Sequence, residues 1–395
     1  MNIIWIYDKP INPESGGTER ATHLIMQGLA NRGYKCLGVL IFDQTDREII
    51  TSDGVRITNL LKFLLEKKVN IVINQIAYDS WLIKEFLAKG GDDWRLQGGK
   101  IVSFMHFNPK YPVISFSSLC LNWSRLSFFR KIKRILRITL LPYQFFRHEM
   151  SRKKSYKYVY ENSNIYILLS NSFFKSFIKI ARLKDLSKLV SIPNPLTFKE
   201  SYPLEMIEKK EKILLVVSRL NEPQKRISII LKAWELLSEF CIFHGWSLII
   251  VGDGEWSDFY KSIVKKNNLK NITFEGQQPP QEYYNRSSIF LMTSSTNFEG
   301  WGLTLTESMQ CGVVPIVMES SSVFHDIIRN YVNGFITPNN NLIFFCSVIK
   351  NLIINNELRN QVAKNAIIDS SIFNLEAVID EWELKILLNL KKFIK

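Results

Sequence analysis

The stretch Asn2-Ile3-Ile4-Trp5-Ile6-Tyr7, followed by Glu19–Arg32 and Lys35–Phe42, decides the fold. An unbroken apolar run rich in β-branched and aromatic side chains reads as a strand buried on both faces. Glu19–Arg32 carries apolar residues at helical spacing and stops at Gly33, so the three pieces form one β-α-β unit. The alternation continues through strands read at Asn70–Asn74, Ile101–His106 and Asn164–Ser170. A second series opens after Pro193-Asn194-Pro195 and the polar stretch Lys199–Lys212. Its strands are read at Ile213–Ser218, Ser247–Gly252, Ile272–Glu275, Ile289–Thr293 and Val314–Met318. Helical patterns intervene at Arg226–Glu239, Trp256–Asn267 and Leu303–Gln310. Strands alternating with helices imply parallel sheets covered on both faces. The expected class is α/β, with two doubly wound domains and a linker near 191–212.

Composition narrows the chemistry. The 395 residues are 46% hydrophobic and 22% charged, which is globular rather than disordered. Lys and Arg number 51 against 37 Asp and Glu, and the net charge of +14 points to anionic partners. Much of that excess lies in 125–157, where eleven Lys and Arg face one acid, Glu149, among Leu126, Phe128, Phe129, Ile132 and Ile135. A helix there is basic and amphipathic, suited to an anionic membrane surface or simply to a solvated face. No helix-turn-helix, zinc-finger or aromatic RNA-binding signature accompanies the charge, so nucleic acid is not an expected partner. The five cysteines form no C-x-x-C pair, which argues against a disulfide framework or zinc site and for a reducing cytoplasm. Charges at Asp8 and Lys9 come too early for a secretory signal, and no uncharged run reaches the roughly 20 residues of a membrane helix.

Four local patterns carry chemistry. Ser15-Gly16-Gly17-Thr18-Glu19 joins the first strand to the first helix, where paired glycines admit a ligand to the backbone or serve a loop needing positive φ. Ser218-Arg219-Leu220 with Lys225-Arg226 places cations at the end of a strand, where open α/β sheets bind ligands. Fixed cations there hold a diphosphate and neutralise charge on a departing one; the alternative is a solvated turn. Glu299-Gly300-Trp301-Gly302-Leu303-Thr304-Leu305-Thr306-Glu307 sets two carboxylates around a glycine-rich turn. Glu307 is expected in the first turn of a helix, where a carboxylate also serves the dipole. His106 ends its strand either as a capped strand-end histidine or as a ligand contact. No G-x-G-x-x-G follows Gly16-Gly17, and Gly252-Asp253-Gly254 has Ser257 in place of the third glycine, so a nicotinamide enzyme is poorly supported.

In this order the motifs resemble glycosyltransferase family 4, the glycosyl transferases group 1. Val217-Ser218-Arg219-Leu220 with Lys225 is similar to its G-R-L…K-G element, Ser218 standing for the usual glycine. Val251-Gly252-Asp253-Gly254 resembles its G-x-G loop, Phe274-Glu275-Gly276 with Tyr283-Tyr284 its G…Y-x-x-A pattern, and Glu299 to Glu307 its E-x7-E motif. Asn333-Gly334 resembles its N-G turn, and Gly16-Gly17 its N-terminal diglycine. The resemblance implies a GT-B fold: two facing Rossmann-like domains, 1–195 on the acceptor side and 196–374 binding a nucleotide sugar in the interdomain cleft. The segment 375–395, a long amphipathic helix over Leu375–Phe393, is then expected to cross back to the first domain. It implies that Arg219 and Lys225 bind the donor pyrophosphate, Glu299 the sugar near its reacting end, and Glu307 the ribose. Gly16, Gly17, Gly252, Gly300, Gly302 and Leu303 would complete the donor site, and His106 would reach the sugar. Two departures stand out: Glu319–Asp326 replaces the family's glycine-rich segment before Pro-Glu, with Asp326 for the glutamate, and Trp301 replaces a common phenylalanine.

The expected activity is thus retaining transfer of a sugar from a UDP- or GDP-sugar to a cell-surface glycan, such as a lipopolysaccharide, O-antigen or capsule precursor. No D-x-D pair is present to hold a divalent ion, so metal-independent catalysis without a cofactor is expected. The expected partners are the donor, a glycan or lipid-linked acceptor and an anionic membrane surface, with the enzyme peripheral on the inner face of the cytoplasmic membrane. Front-face attack and a covalent intermediate both remain open. A two-lobed nucleotide-sugar epimerase and a non-catalytic scaffold of the same fold are the alternatives.

Overall fold

The computed structural model describes residues 1–14, 16–41, 49–112, 131, 132, 135 and 138–391. They divide into two compact units, Met1–Pro195 with Leu375–Lys395, and Leu196–Asn374.

The first unit holds β1 (Asn2–Tyr7), β2 (Lys35–Ile41), β3 (Ile49–Thr51), β4 (Val69–Asn74), β5 (Lys100–Met105), β6 (Ile165–Leu168) and β7 (Leu189–Ser191). They form one sheet in the order β3-β2-β1-β4-β5-β6-β7. Every pairing is parallel except β2 with the edge strand β3, which is antiparallel. The central strands are buried almost throughout: Trp5, Ile6, Ile71, Val72, Ile101 and Val102 are 2% exposed or less. That is why they read as continuous apolar runs rather than alternating ones. The three-residue strands β3 and β7 lack such runs and are not evident from the sequence.

The second unit holds β8 (Ile213–Val217), β9 (Ser247–Val251), β10 (Ile272–Gly276), β11 (Ile289–Met292), β12 (Val314–Met318) and β13 (Phe335–Thr337). Its order is β10-β9-β8-β11-β12-β13, all parallel. The core joins β8, β9, β11 and β12 to helices Ile227–Phe243 and Leu342–Ile354 through Leu214, Trp234, Leu248, Ile316 and Leu352. In each sheet the strand order reverses next to the unit's first strand, between β1 and β4 and between β8 and β11.

The segment from Leu375 to Lys391 is helical with a wide turn at Glu383–Leu387. The remainder of the helix read to Phe393 lies outside the described residues. Trp382 packs against Trp5 and Phe104, with ring centroids 5.4 and 5.5 Å apart. Burying side chains of that size contributes roughly 1.5–3 kcal/mol each. Arg32, at the end of helix Gly17–Asn31, reaches Glu376, Asp380 and Glu383 at 2.6, 2.9 and 2.7 Å. These pairs are exposed and add little stability individually, but they fix the orientation of the segment.

Helix Leu141–Glu161 covers the C-terminal part of the basic segment. Arg125, Leu126, Phe128, Phe129, Arg130, Lys133, Arg134, Leu136 and Arg137 lie outside the described residues. The helix packs by its last turns, through Tyr156, Val159 and Tyr160. Its opening turns leave Tyr143, Phe146 and Met150 exposed at i, i+3 and i+7, with exposed Arg147 and Lys154 on the same stripe. Among the described residues no helix is long and apolar enough to cross a membrane.

Gly28 lies where the helix after β1 meets the C-terminal segment, and a Cβ there would sit 2.6 Å from Ile379. Gly28→Val is therefore expected to destabilise the protein by about 1–3 kcal/mol through overpacking. The midpoint of denaturant unfolding measures this, and an unchanged midpoint would remove Ile379 from that contact.

Candidate functional site

Parallel strands covered on both faces leave charged side chains little but their ends, and ligands settle beyond the carboxyl ends where the strand order reverses. In the second unit that point lies between β8 and β11. A shallow pocket opens there, with Ser218, Lys225, Thr293, Ser294 and Thr304 on its wall. Lys225 stands in the short helix Glu222–Lys225 after β8, and Thr304 in the first turn of helix Leu303–Gln310.

Glu299 is buried beside this pocket wall. Its Oε1 lies 2.5 Å from Lys225 Nζ and accepts from Ser294 Oγ at 2.5 Å. Ser321 Oγ donates to its backbone carbonyl at 2.9 Å. Burial by itself raises a carboxyl pKa, but the Lys225 ammonium, the Ser294 hydroxyl and the field of Arg219 outweigh it and hold Glu299 below its ordinary 4.5. Glu299 is an anion at neutral pH. Arg219 is exposed at the end of β8, so its charge faces solvent while its field still reaches Glu299.

Glu307 is equally buried but differently held. Gly302 caps helix Leu303–Gln310 in the left-handed region, so Glu307 falls in the second turn, not the first as the sequence suggested. A dipole-capping role does not apply that deep in a helix. Its two oxygens accept from Thr197 Oγ1 at 2.7 Å and from the Tyr284 hydroxyl at 3.2 Å. Tyr284 also donates to the carbonyl of Thr304, which ties Glu307 to the pocket wall.

Several neighbours serve the scaffold. Gly252 has φ +130°, and a Cβ would lie 2.0 Å from the Ser218 carbonyl oxygen. Only glycine lets the two loops run side by side, joined by Leu220 N to Asp253 O at 2.9 Å. Arg226 donates to the carbonyls of Thr293 and Ser294 at 2.7 and 2.6 Å and to Asn339 and Asn340, which pins the end of β11. Trp301 is buried edge-on against Phe373 at 5.1 Å, a packing role. Asp326 is exposed on the short helix Phe324–Ile327. The departure from the glycine-rich segment is instead filled by serines: Asn297 N donates to Ser320 O at 2.6 Å, next to the Ser321–Glu299 bond.

In the first unit the reversal lies between β1 and β4. Gly16 and Gly17 start the helix after β1, and Gly16 has φ 178°, an extended conformation that does not itself demand glycine. Ser15 lies outside the described residues. His106, just beyond β5, is buried with its ring centroid 4.0 Å from that of Phe104. Burial pushes its imidazole down to about 3, so the ring is neutral. Its Nε2 lies 2.6 Å from Gln75 Oε1.

The sequence-selected residues therefore fall into two groups. Arg219, Lys225, Gly252, Glu299, Gly300, Gly302, Leu303 and Glu307 belong to the second unit, and Gly16, Gly17 and His106 to the first. Ser294, Thr197 and Gln75 were not foreseen, and Tyr284 was noted only as part of a motif. Ser294 and Gln75 follow the last residues of β11 and β4 closely, a position that itself is a signal. Thr197 meets Glu307 across 110 residues and leaves no local trace. Among the described residues no group of three His, Cys, Asp or Glu side chains is placed to hold a metal ion.

Lys225→Met leaves Glu299 buried without its cation, and the expected cost is about 3–5 kcal/mol at neutral pH. Wild-type Glu299 titrates below 4.5, so its stabilising effect is present above that value and is lost as pH falls through the lowered pKa. In the variant the opposing ammonium is gone while burial remains, so the carboxyl titrates higher than in the wild type and the deficit shrinks as pH falls and Glu299 is neutralised. Unfolding of both proteins from pH 7 to pH 4 measures the difference; a deficit independent of pH refutes the coupling.

Residues 200–369 match the family described as glycosyl transferases group 1. An uncharacterized glycosyltransferase of Haemophilus influenzae is 23% identical over 379 residues, 93% of this chain and 96% of that protein. The structure of Anabaena HepE in complex with UDP superposes with a TM-score of 0.68 at 15% identity, covering 99% of this chain and 100% of that one. The lipopolysaccharide outer core galactosyltransferase WaaB gives 0.65 at 16%, over 98% and 100%. These likenesses fix the two-domain GT-B architecture, with two sheets of parallel strands flanked by helices. With the group 1 match confined to its second unit and a glycosyltransferase relative along nearly its whole length, the chain is a glycosyltransferase whose second unit is similar to the group 1 family.

Proposed function

We propose that this glycosyltransferase moves a sugar, with retention of anomeric configuration, from a UDP- or GDP-sugar to a cell-surface glycan acceptor. The observation that carries the donor half is the cluster of Arg219, Lys225 and ionised Glu299 beside the pocket between β8 and β11. Arg219 and Lys225 are placed to hold the donor diphosphate and to neutralise charge as it departs, the electrostatic term on which such transfers depend. Glu299, kept anionic and held by Ser294, is placed to orient sugar hydroxyls and stabilise positive charge at the anomeric carbon. Glu307 is assigned to the ribose hydroxyls, with the backbone of Gly252, Gly300, Gly302 and Leu303 framing the nucleotide. On the first unit, Gly16, Gly17 and neutral His106 are assigned to hydrogen bonds with the donor. HepE, crystallised with UDP, and the lipopolysaccharide transferase WaaB support a nucleotide-sugar donor and a surface-glycan acceptor. The epimerase alternative is not favoured, because the relatives are named as transferases.

The exposed stripe of Tyr143, Phe146 and Met150 beside Arg147 and Lys154 supports an acceptor met at an anionic membrane surface. Aromatic and apolar side chains enter the headgroup boundary while the cations meet anionic lipid.

Glu299→Ala and Arg219→Ala are each expected to lower kcat by roughly 10²- to 10³-fold in a protein that still folds, as circular dichroism checks. Full activity in either variant would overturn the site. A screen of nucleotide sugars by thermal shift and turnover identifies the donor, since a ligand bound only by the native state raises its apparent stability. Nucleotide release without an acceptor, yielding an epimerised sugar, would instead favour the epimerase. In co-sedimentation, vesicles rich in phosphatidylglycerol are expected to bind the protein and phosphatidylcholine vesicles are not. The double variant Phe146→Ser, Met150→Ser should weaken that binding about tenfold or more; unchanged binding removes the stripe from the membrane contact.

A further inference from the structure

Gln75 and His106 stand just beyond the carboxyl ends of adjacent strands β4 and β5, and Thr22 approaches them from the helix after β1. All three side chains are buried. Thr22 Oγ1 donates to Gln75 Oε1 at 2.9 Å, and His106 Nε2 lies 2.6 Å from the same oxygen. A carbonyl oxygen only accepts, so the single proton of the neutral imidazole must sit on Nε2. Two atoms are then left without a partner, His106 Nδ1 as a bare acceptor and Gln75 Nε2 as a bare donor, and both are buried. Unpaired buried polar atoms are costly, about 1–3 kcal/mol each, and cluster where a ligand completes them. A hydroxyl is the group that both donates and accepts.

We propose that Gln75 is a positioning residue that, braced by Thr22, fixes His106 as its Nε2–H tautomer and leaves Nδ1 to accept from a hydroxyl of the transferred sugar. The inference rests on the reading of His106 as a donor-site residue. Gln75 lies at the reversal of strand order in its sheet, where the fold leaves room for a ligand, and the opening turns of the neighbouring helix carry Thr22 to it. Thr22 Oγ1, 2.9 Å from the amide oxygen, braces that end of the amide beside the ring. The tautomer is thus determined two hydrogen bonds away from the reacting sugar.

The test combines spectroscopy with kinetics on the full-length enzyme. With ¹⁵N-histidine labelling, and His106→Ala to assign the resonance, wild-type His106 should show a protonated Nε2 and an unprotonated Nδ1. Gln75→Leu and the near-isosteric Gln75→Met should abolish that preference and lower kcat/KM about tenfold. Gln75→Glu keeps an acceptor for Nε2–H and should restore the tautomer and most of the activity, which a merely structural role would not do. Neither Gln75→Leu nor Gln75→Met should cost further activity in the His106→Ala background. A wild-type ring protonated on Nδ1, or a tautomer unchanged in a folded Gln75→Met protein whose His106→Ala counterpart is impaired, overturns the proposal alone. Full activity of His106→Ala overturns instead the donor-site reading on which it rests.

Discussion

A parallel strand covered by helices on both faces has little room for a charged side chain along its length. Whatever chemistry the chain carries must therefore stand beyond the strand ends, and the reversal of strand order determines which ends have open space before them. In the second unit the ends of β8 and β11 deliver Ser218, Thr293 and Ser294 to one pocket wall, Arg219 follows exposed at the end of β8, and the loop after β11 returns Glu299 to Ser294 and Lys225. In the first unit the ends of β1, β4 and β5 deliver Gly16, Gln75 and His106. The same constraint explains the cores. Strands that must be apolar throughout leave Trp5, Ile6, Ile316 and Val317 fully buried or nearly so.

The Lys225–Glu299 pair is the least expected feature energetically. Taking a carboxylate out of water costs several kcal/mol, and one ammonium with one hydroxyl seldom returns more than that. A hydrophobic pair of similar volume would be as stable. The arrangement makes better sense as preorganisation: the anion is already dehydrated, oriented by Ser294 and Ser321, and needs no rearrangement when charge develops nearby. Arg226 shows the contrast. Four of its five N–H groups are taken by two carbonyls and two asparagine side chains, so it shapes the end of β11 and has little hydrogen bonding left for a ligand.

Much of this was legible in the sequence because long buried strands and charged residues at their ends are local patterns. Val314–Met318 and Leu303–Gln310 fall where their periodicity places them, and Glu299 is conspicuous as a carboxylate among glycines and apolar residues. Short edge strands were not legible, since Ile49–Thr51, Leu189–Ser191 and Phe335–Thr337 owe their conformation to a neighbour's hydrogen bonds rather than to their own composition. Gly252, read from the sequence as part of a ligand loop, also has a packing reason to be glycine, because the Ser218 carbonyl presses on its backbone. Partners far apart in the chain were invisible for a simpler reason. Nothing near Glu307 announces Thr197, and nothing near His106 announces Gln75, because tertiary packing alone brings them together.

The two strand-order reversals differ in electrostatic character, and that difference is informative about chemistry. At β8 and β11 the polar groups are ionic, with two cations and a carboxylate whose charge survives burial. At β4 and β5 they are neutral: an imidazole that burial keeps unprotonated, an amide and a hydroxyl. Cations suit a diphosphate, which carries its charge before and after transfer. Neutral donors and acceptors suit sugar hydroxyls, which a charge would bind too indiscriminately to tell one epimer from another. An amide that fixes a tautomer sets which hydrogen bonds are offered, and a sugar lacking the matching hydroxyl leaves buried atoms unpaired. Specificity for the sugar is therefore expected to reside in the neutral group, and the driving force for departure of the nucleotide in the ionic one.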